Sequence, residues 1–348
     1  MTSNPLNKIE QLFHLGLEMK EAERREFLTR ECGGDMSLYE EVQSLIRSSD
    51  KQDLQLDGSV VELGLKVISA SLQRSLTGKT IGQFKILALL GQGGMGEVYL
   101  ANDTRLDRKV ALKFLAHELV DDRIAKAQLV AEAKAIAQLD HPSICQIYGM
   151  QQLESDAFLV MQYIEGVTLA ELLASAKLSY EQKQQFILQI VAGVAHTHAK
   201  SIVHRDIKPR NIMITSHDQV KILDFGLALA AGTKKTVKAR RTRAATSEAT
   251  PGTIRYMAPE QIRGETPDFR SDVFSLGTLM FEILTGNQLF PQHEVPDIAA
   301  AIQSGVYPVE VMPSKSVFNP IISRCLAMNP RDRYTSAIEL LDNLPGNR

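Results

Sequence analysis

The run His204-Arg205-Asp206-Ile207-Lys208-Pro209-Arg210-Asn211 gathers a carboxylate, an ammonium two residues later and a carboxamide three residues beyond that. Ile202 and Val203 precede it, and Ile212, Met213 and Ile214 follow. Apolar runs on both sides predict a polar loop held rigidly between buried segments. Phosphoryl transfer needs such a loop: an acceptor hydroxyl must be oriented and relieved of its proton, the phosphate charge screened and a magnesium ion fixed.

Other stretches fit the same chemistry. Gly91-Gln92-Gly93-Gly94-Met95-Gly96 has the spacing of a phosphate-covering loop. Glycines at Gly91, Gly93 and Gly96 let the backbone close over phosphates without side-chain clash. Dinucleotide-binding domains share that spacing, but there the glycines open a helix. Here Phe84, Ile86 and Leu89 lead in and Glu97-Val98-Tyr99-Leu100-Ala101 leads out, both strand-like, so the loop is predicted to be a hairpin tip. Val110-Ala111-Leu112-Lys113 is an apolar strand carrying a lysine, and Glu132 is the single carboxylate of a helical stretch from about Ile124 to Leu139. Phe158-Leu159-Val160-Met161 predicts another buried strand. Lys221-Ile222-Leu223-Asp224-Phe225-Gly226 follows soon after the polar loop.

In this order and spacing, the motifs from Phe84 to about Leu344 resemble those of bacterial-type serine/threonine protein kinases. The resemblance implies an α+β, two-lobed fold: a nucleotide lobe over 81–164 and a catalytic lobe over 165–345. It also implies roles. Asp206 would be the base, Lys208 the phosphate screen, and Asn211 and Asp224 the ligands of Mg2+, with Mn2+ as an alternative. Lys113 would reach the α- and β-phosphates of ATP, held by an ion pair with Glu132. Leu90, Gly91, Gln92, Gly93, Gly94, Met95, Gly96, Glu97 and Val98 would cover the nucleotide. Val98 and Ala111 above and Met213 below would sandwich adenine, with Met161 at the back and Gln162 to Ile164 as the hinge. Gln162 departs from the family's usual acidic residue, a mild change because adenine bonds to backbone groups there. Phe225 would pack under the helix bearing Glu132.

By the same resemblance, Ala258-Pro259-Glu260 closes an activation segment, Glu260 pairs with Arg333, and Asp272 anchors the polar loop. Lys208 with Thr253 matches the serine/threonine branch, so the acceptors would be Ser or Thr hydroxyls of proteins. Between Gly226 and Ala258 lies a basic run, Lys234 to Arg243, and then Thr246, Ser247 and Thr250. Phosphate on one of these three is expected to order the segment, with Arg205 as its bidentate partner. Arg210 stands where basophilic relatives carry an acidic residue, which predicts no strong preference for arginine-rich peptides. A homodimer would serve trans-autophosphorylation.

The elements that position these groups occupy a chain of 348 residues with net charge −2, 44% hydrophobic and 23% charged. Ordinary composition and a charge near zero give no sign of nucleic-acid binding. Cys32, Cys145 and Cys325 are far apart and in no metal-ligand spacing, which reads as thiols in a reducing compartment. No apolar run approaches the roughly 18 residues of a membrane span, and the start lacks a secretory pattern, so a cytoplasmic protein is expected. Ahead of the catalytic region, helical spacing appears at Ile9–Leu17, Ala22–Leu28 and Leu38–Ile46 within a region 1–49. A linker with an amphipathic helix, Val60 to Leu72, fills 50–80. Two other classes remain in view. A nucleotide-binding scaffold without chemistry is disfavoured by Lys113, Asp206, Asn211 and Asp224. A small-molecule phosphotransferase is disfavoured by Thr253 and Ala258-Pro259-Glu260.

Overall fold

The computed structural model describes residues 12, 24, 27–28, 30–32, 76–93, 96–115, 130–131, 133–152, 157–175, 177–224, 250–307 and 316–346. Two compact units divide the chain, Met1–Thr77 and Gly78–Arg348. In the first, the residues at 12, 24, 27, 28, 30 and 31 are helical. Leu12, Leu28 and Cys32 are buried there. The helices expected over Leu38–Ile46 and Val60–Leu72 lie outside the described residues.

The second unit opens with six antiparallel strands: β1 (Thr80–Ile81), β2 (Phe84–Gly93), β3 (Gly96–Asp103), β4 (Arg108–Leu115), β5 (Ile147–Gln152) and β6 (Ala157–Gln162), in the order β1-β2-β3-β4-β6-β5. Gly93 faces Gly96 in the β2–β3 register, so the glycine motif turns a hairpin as its strand-rich flanks predict. β4 sits between β3 and β6, which explains its unbroken buried run Val110-Ala111-Leu112-Lys113-Phe114. Lys113 therefore lies inside a strand that continues to Leu115, not at a solvated tip.

A second sheet, β7 (Gly166–Thr168), β8 (Ile212–Thr215) and β9 (Val220–Ile222), is antiparallel in that order. Helices of this unit include α1 (Leu169–Ser175), α2 (Tyr180–Ala199), α3 (Pro251–Ile254), α4 (Pro259–Ile262), α5 (Phe269–Thr285), α6 (Val295–Ser304), α7 (Asn319–Cys325) and α8 (Ala337–Asp342).

α2 starts because Ser179 caps it. The Ser179 hydroxyl accepts from the Gln182 amide and the Gln182 carboxamide accepts from the Ser179 amide, a reciprocal box that satisfies two otherwise unpaired donors. α5 begins at an Asp268 cap and ends at Gly286, whose φ of 73° suits the left-handed position. Every residue of α5 from Ser271 to Phe281 is buried, so this helix runs through the centre of the helical lobe. Phe186, Ile187, Ile190 and Val191 of α2 share one core with Val273, Phe274, Leu276 and Phe281 of α5. Burying each such side chain contributes about 1.5–3 kcal/mol.

Gly193 shows how tightly α2 is set against the second sheet. A Cβ there would lie 2.7 Å from Ile222 Cδ1 of β9. Ile222 in turn links the lobes: its amide donates to the Ser143 carbonyl at 2.8 Å, and its carbonyl accepts from the Cys145 amide at 2.9 Å. The residues just after β9 are thereby fixed against the segment that leads into β5.

Candidate active site

The polar loop lies between α2 and β8 and ends in a 3-10 turn at Pro209–Asn211. Its backbone is pinned from below by Asp272 of α5. The Asp272 carboxylate accepts from the His204 amide at 2.6 Å, the Arg205 amide at 2.8 Å and His198 Nε2 at 3.0 Å. His198 Nδ1 accepts from the Ala337 amide, so the ring proton resides on Nε2 and is donated to Asp272. A buried carboxylate with three donors is a satisfied one.

His204 is wholly buried and acts as a brace. Its Nδ1 accepts from the Asp206 amide at 3.3 Å, and its Nε2 donates to the Leu223 carbonyl at 3.0 Å. Burial pushes its pKa below the ordinary 6.5, outweighing the opposite pull of Asp272, Asp206 and Asp224, so the ring is neutral at pH 7. Arg205 holds a φ of 69°, a left-handed backbone unusual for a residue with a Cβ. Asp272 on its amide and Gln261 Nε2 on its carbonyl, at 3.2 Å, keep it there.

On this frame the functional groups converge. Asp206 Oδ2 accepts from Asn211 Nδ2 at 2.9 Å and is 2.9 Å from Lys208 Nζ. Asn211 Nδ2 also donates to the Asp206 carbonyl at 2.8 Å. These two bonds occupy the Asn211 amide nitrogen and leave its oxygen as an acceptor for another group. Lys208 Nζ donates to Thr253 Oγ at 3.0 Å, which joins the loop to α3.

Across the cleft, Lys113 Nζ donates to Asp224 Oδ1 at 2.7 Å. The lysine side chain is 5% exposed and the aspartate 30%. Asp224 also has a left-handed φ, 45°. The Leu223 amide donates to the Asn211 carbonyl at 2.8 Å, so Asp224 and Asn211 are held close by main chain. Glu132, expected to pair with Lys113, lies outside the described residues, as do Gly94, Met95, Phe225, Thr246 and Ser247.

Ala111, Met161 and Ile164 are buried in one apolar cluster, with Val98, Met213 and Leu223 packed on it. Register explains part of this, since Ala111 faces Met161 across β4 and β6. Leu90, in β2, is 47% exposed. A cavity lined by residues including Lys113, Cys145, Leu159, Met161 and Asp224 joins the apolar cluster to the ion pair. Burial first, and then the Asp224 charge, push the Cys145 thiol up to about 12, so it stays protonated at pH 7.

The donor set suits a hard divalent cation. Asp224 offers carboxylate oxygen and Asn211 amide oxygen, and a magnesium-type ion commonly takes one or two such protein ligands together with substrate phosphates. Among the described residues there is no cluster of three His, Cys, Asp or Glu of the kind that would enclose a metal by itself.

The protein kinase domain family model matches residues 84–343. The chain belongs to the protein kinase family. It is 35% identical over 288 residues to the probable serine/threonine-protein kinase PknB of Bifidobacterium longum, covering 78% of this chain and 40% of that protein. It is 36% identical over 276 residues to the serine/threonine-protein kinase PrkC of Bacillus subtilis, covering 76% and 40%. The chain thus spans about two-fifths of the length of the curated relatives it matches. The kinase fold is shared with the crystal structure of the Mycobacterium tuberculosis PknI kinase domain, at TM-score 0.58 and 23% identity over 78% of this chain and 98% of that one. The kinase family uses ATP and a divalent metal.

Several residues that hold this site have weak local signals. Glu260 meets Arg333 in a buried pair at 2.7 and 3.0 Å, and Ser271 adds a bond to the same carboxylate. Tyr256 donates its hydroxyl to Glu282 of α5, and the Tyr256 carbonyl accepts from Ser275. Burial raises both the Tyr256 phenol and the Glu282 carboxyl above their ordinary values. Arg255 donates to the carbonyls of Phe290 and Gln292. The segment carrying Thr253 is thus fixed to α5 and to the chain beyond it. Glu282 and Ser275 read in sequence as ordinary positions of an apolar helix; only their burial reveals the role.

Proposed function

We propose that this chain is a serine/threonine protein kinase that transfers the γ-phosphoryl group of Mg-ATP to Ser and Thr hydroxyls of proteins. The observation that carries the reading is the connected set Asp206–Lys208–Thr253, with Asn211 bonded to the same carboxylate. Asp206 orients the acceptor hydroxyl and takes its proton as the oxygen attacks the γ-phosphorus. The bond from that phosphorus to the bridging oxygen breaks, and ADP leaves. Lys208, shared between Asp206 and Thr253, neutralises charge where it develops and ties the base to the segment that would seat the acceptor. Asn211 and Asp224 would hold Mg2+, or Mn2+ in its place, which supplies charge neutralisation at the phosphates. Lys113 turns from Asp224 toward the α- and β-phosphates, with Glu132 as its second partner.

Leu90, Gln92, Glu97 and the glycines from Gly91 to Gly96, with Met95, cover the phosphates. Val98, Ala111, Met161 and Met213 hold the adenine, and Gln162 to Ile164 present backbone groups to its edge. Turnover on the order of 1–100 per second fits the class. Residues 81–345 form the catalytic part, behind a helical region 1–49 and a linker 50–80. Among the described residues no helix is long and apolar enough to cross a membrane, and we place the protein in the cytoplasm. A transient homodimer serves autophosphorylation, with phosphate on Thr246 or Ser247 ordering the activation segment.

Intact mass after incubation with Mg-ATP tests the reading, beside Asp206→Asn. Phosphate on the parent chain, or on an added Ser/Thr protein, and none with the variant is the expected result. ATP binding without transfer to any hydroxyl would contradict it.

A further inference from the structure

Of the three activation-segment hydroxyls, Thr250 is the one that lies among the described residues. It is exposed, directly ahead of α3, and its side chain makes no capping hydrogen bond to that helix. Its carbonyl accepts from the Thr253 and Ile254 amides at 2.9 and 3.1 Å, which fixes where the residue stands. Its Oγ lies 3.3 Å from Thr253 Oγ. Thr253 Oγ is 3.0 Å from Lys208 Nζ, and that ammonium is 2.9 Å from Asp206 Oδ2. A single hydroxyl therefore separates Thr250 from the cation that partners the base.

We propose that phosphorylation of Thr250 switches the enzyme off by drawing Lys208 away from Asp206. The inference rests on the kinase reading above. A phosphothreonine carries a charge of roughly −1.5 to −2 at pH 7 and three strong acceptor oxygens. Those oxygens extend beyond Oγ into the place of the Thr253 hydroxyl. Lys208 is 14% exposed, so the competition between phosphate and carboxylate is fought with little solvent screening. The doubly charged group prevails. Asp206 then loses its cation, and Thr253 loses the bond that docks its segment to the loop. This effect is opposite to the one proposed for phosphate on Thr246 or Ser247, and it replaces the ordering role that the sequence led us to expect of Thr250.

The donor is ATP. Thr250 Oγ forms a bond to the γ-phosphorus, the bond to the bridging oxygen breaks, ADP leaves, and the hydroxyl proton passes to the base. A chain cannot do this to itself in the arrangement seen, because Thr253 and Lys208 stand between Thr250 and its own Asp206, and a base must reach its proton directly or through one water. The transfer occurs between two copies, so the modification accumulates with enzyme concentration.

The test uses the full chain with phosphothreonine incorporated at position 250 during translation, against Thr250→Val, with Thr246 and Ser247 intact in both. Peptide phosphorylation should fall about 100-fold in kcat, the scale of losing base function, with KM for ATP unchanged. In a 31P titration the second pKa of the phosphothreonine should drop below its usual value of about 6 and return to it on Lys208→Ala. Equal or greater activity of the phosphorylated form would overturn the proposal, as would a titration indifferent to Lys208→Ala. Inactivity of both forms with a Lys208-dependent titration would instead overturn the kinase reading, and the switch with it, leaving only the phosphate–lysine contact.

Discussion

At one end of the site Asp272 gathers three hydrogen bonds, two of them from the Asp206 loop; at the other, Lys113 and Asp224 hold each other by one. The loop end is roofed and floored by protein. His204 braces it from inside, Gln261 fixes the Arg205 carbonyl, and Asn211 and Lys208 both contact Asp206. The Lys113 end meets the cleft, with Asp224 partly exposed. A lysine so deeply buried needs an anion, and Asp224 is the one it bonds among the described residues. The difference separates the two tasks. Geometry for the acceptor is set by the fold, whereas the phosphate end exchanges one ion pair for another as nucleotide arrives. Electrostatic catalysis gains most where dipoles are fixed in advance, and this protein fixes them around the base.

Substitutions at the two ends should break in different ways. The largest effect is expected from Asp206→Asn, a fall of about 10²–10⁴ in kcat with KM for ATP nearly unchanged, read by steady-state kinetics. Asp272→Ala should cost about 3–5 kcal/mol of unfolding free energy, because it strands buried donors; urea denaturation reads this, and a loss under about 1 kcal/mol would erase the claimed asymmetry. Lys113→Met should leave stability within about 1–2 kcal/mol of the parent while weakening nucleotide binding, measured by calorimetry. A stability loss as large as that of Asp272→Ala would place both ends in the same class.

The smallest effect concerns protons. His204 has its folded pKa lowered by burial from 6.5, so the unfolded chain binds the extra proton first as pH falls. Its stability contribution is fully present above pH 6.5 and is lost as pH drops below that toward the folded value. Melting temperature should therefore decline below pH 6.5, and His204→Asn should flatten that decline even though it lowers stability at pH 7. An unchanged slope in the variant would assign the decline to other groups, His141 foremost, since burial, His196 and Lys221 hold it low as well.

Much of the frame was legible because its signals are local or paired with a strong pattern. The glycine hairpin and the buried strands β4 and β6 follow from residue types within short windows. Asp272 and the Glu260–Arg333 pair were legible only through family resemblance, because their partners lie 67 and 73 residues away. The Lys113–Asp224 bond spans 111 residues and was not foreseen. Nor was β7, whose three residues Gly166, Val167 and Thr168 show too little alternation to signal a strand. The start of α2 at Tyr180 is legible in principle, because the Ser179–Gln182 spacing of its capping box is visible in the sequence. The contact of Lys208 with Thr253, and of Thr253 with Thr250, depends on how α3 is hung from α5, which no local window encodes.

The central claim is that the base loop is fixed by the protein and the phosphate end by the nucleotide. Backbone amide hydrogen exchange, with and without Mg and a non-hydrolysable ATP analogue, tests it most directly. The account predicts strong protection of the His204 and Arg205 amides in both conditions, with added protection confined to the Gly91–Glu97 hairpin. Fast exchange of the His204 and Arg205 amides in the free protein, slowed only by nucleotide, would contradict it.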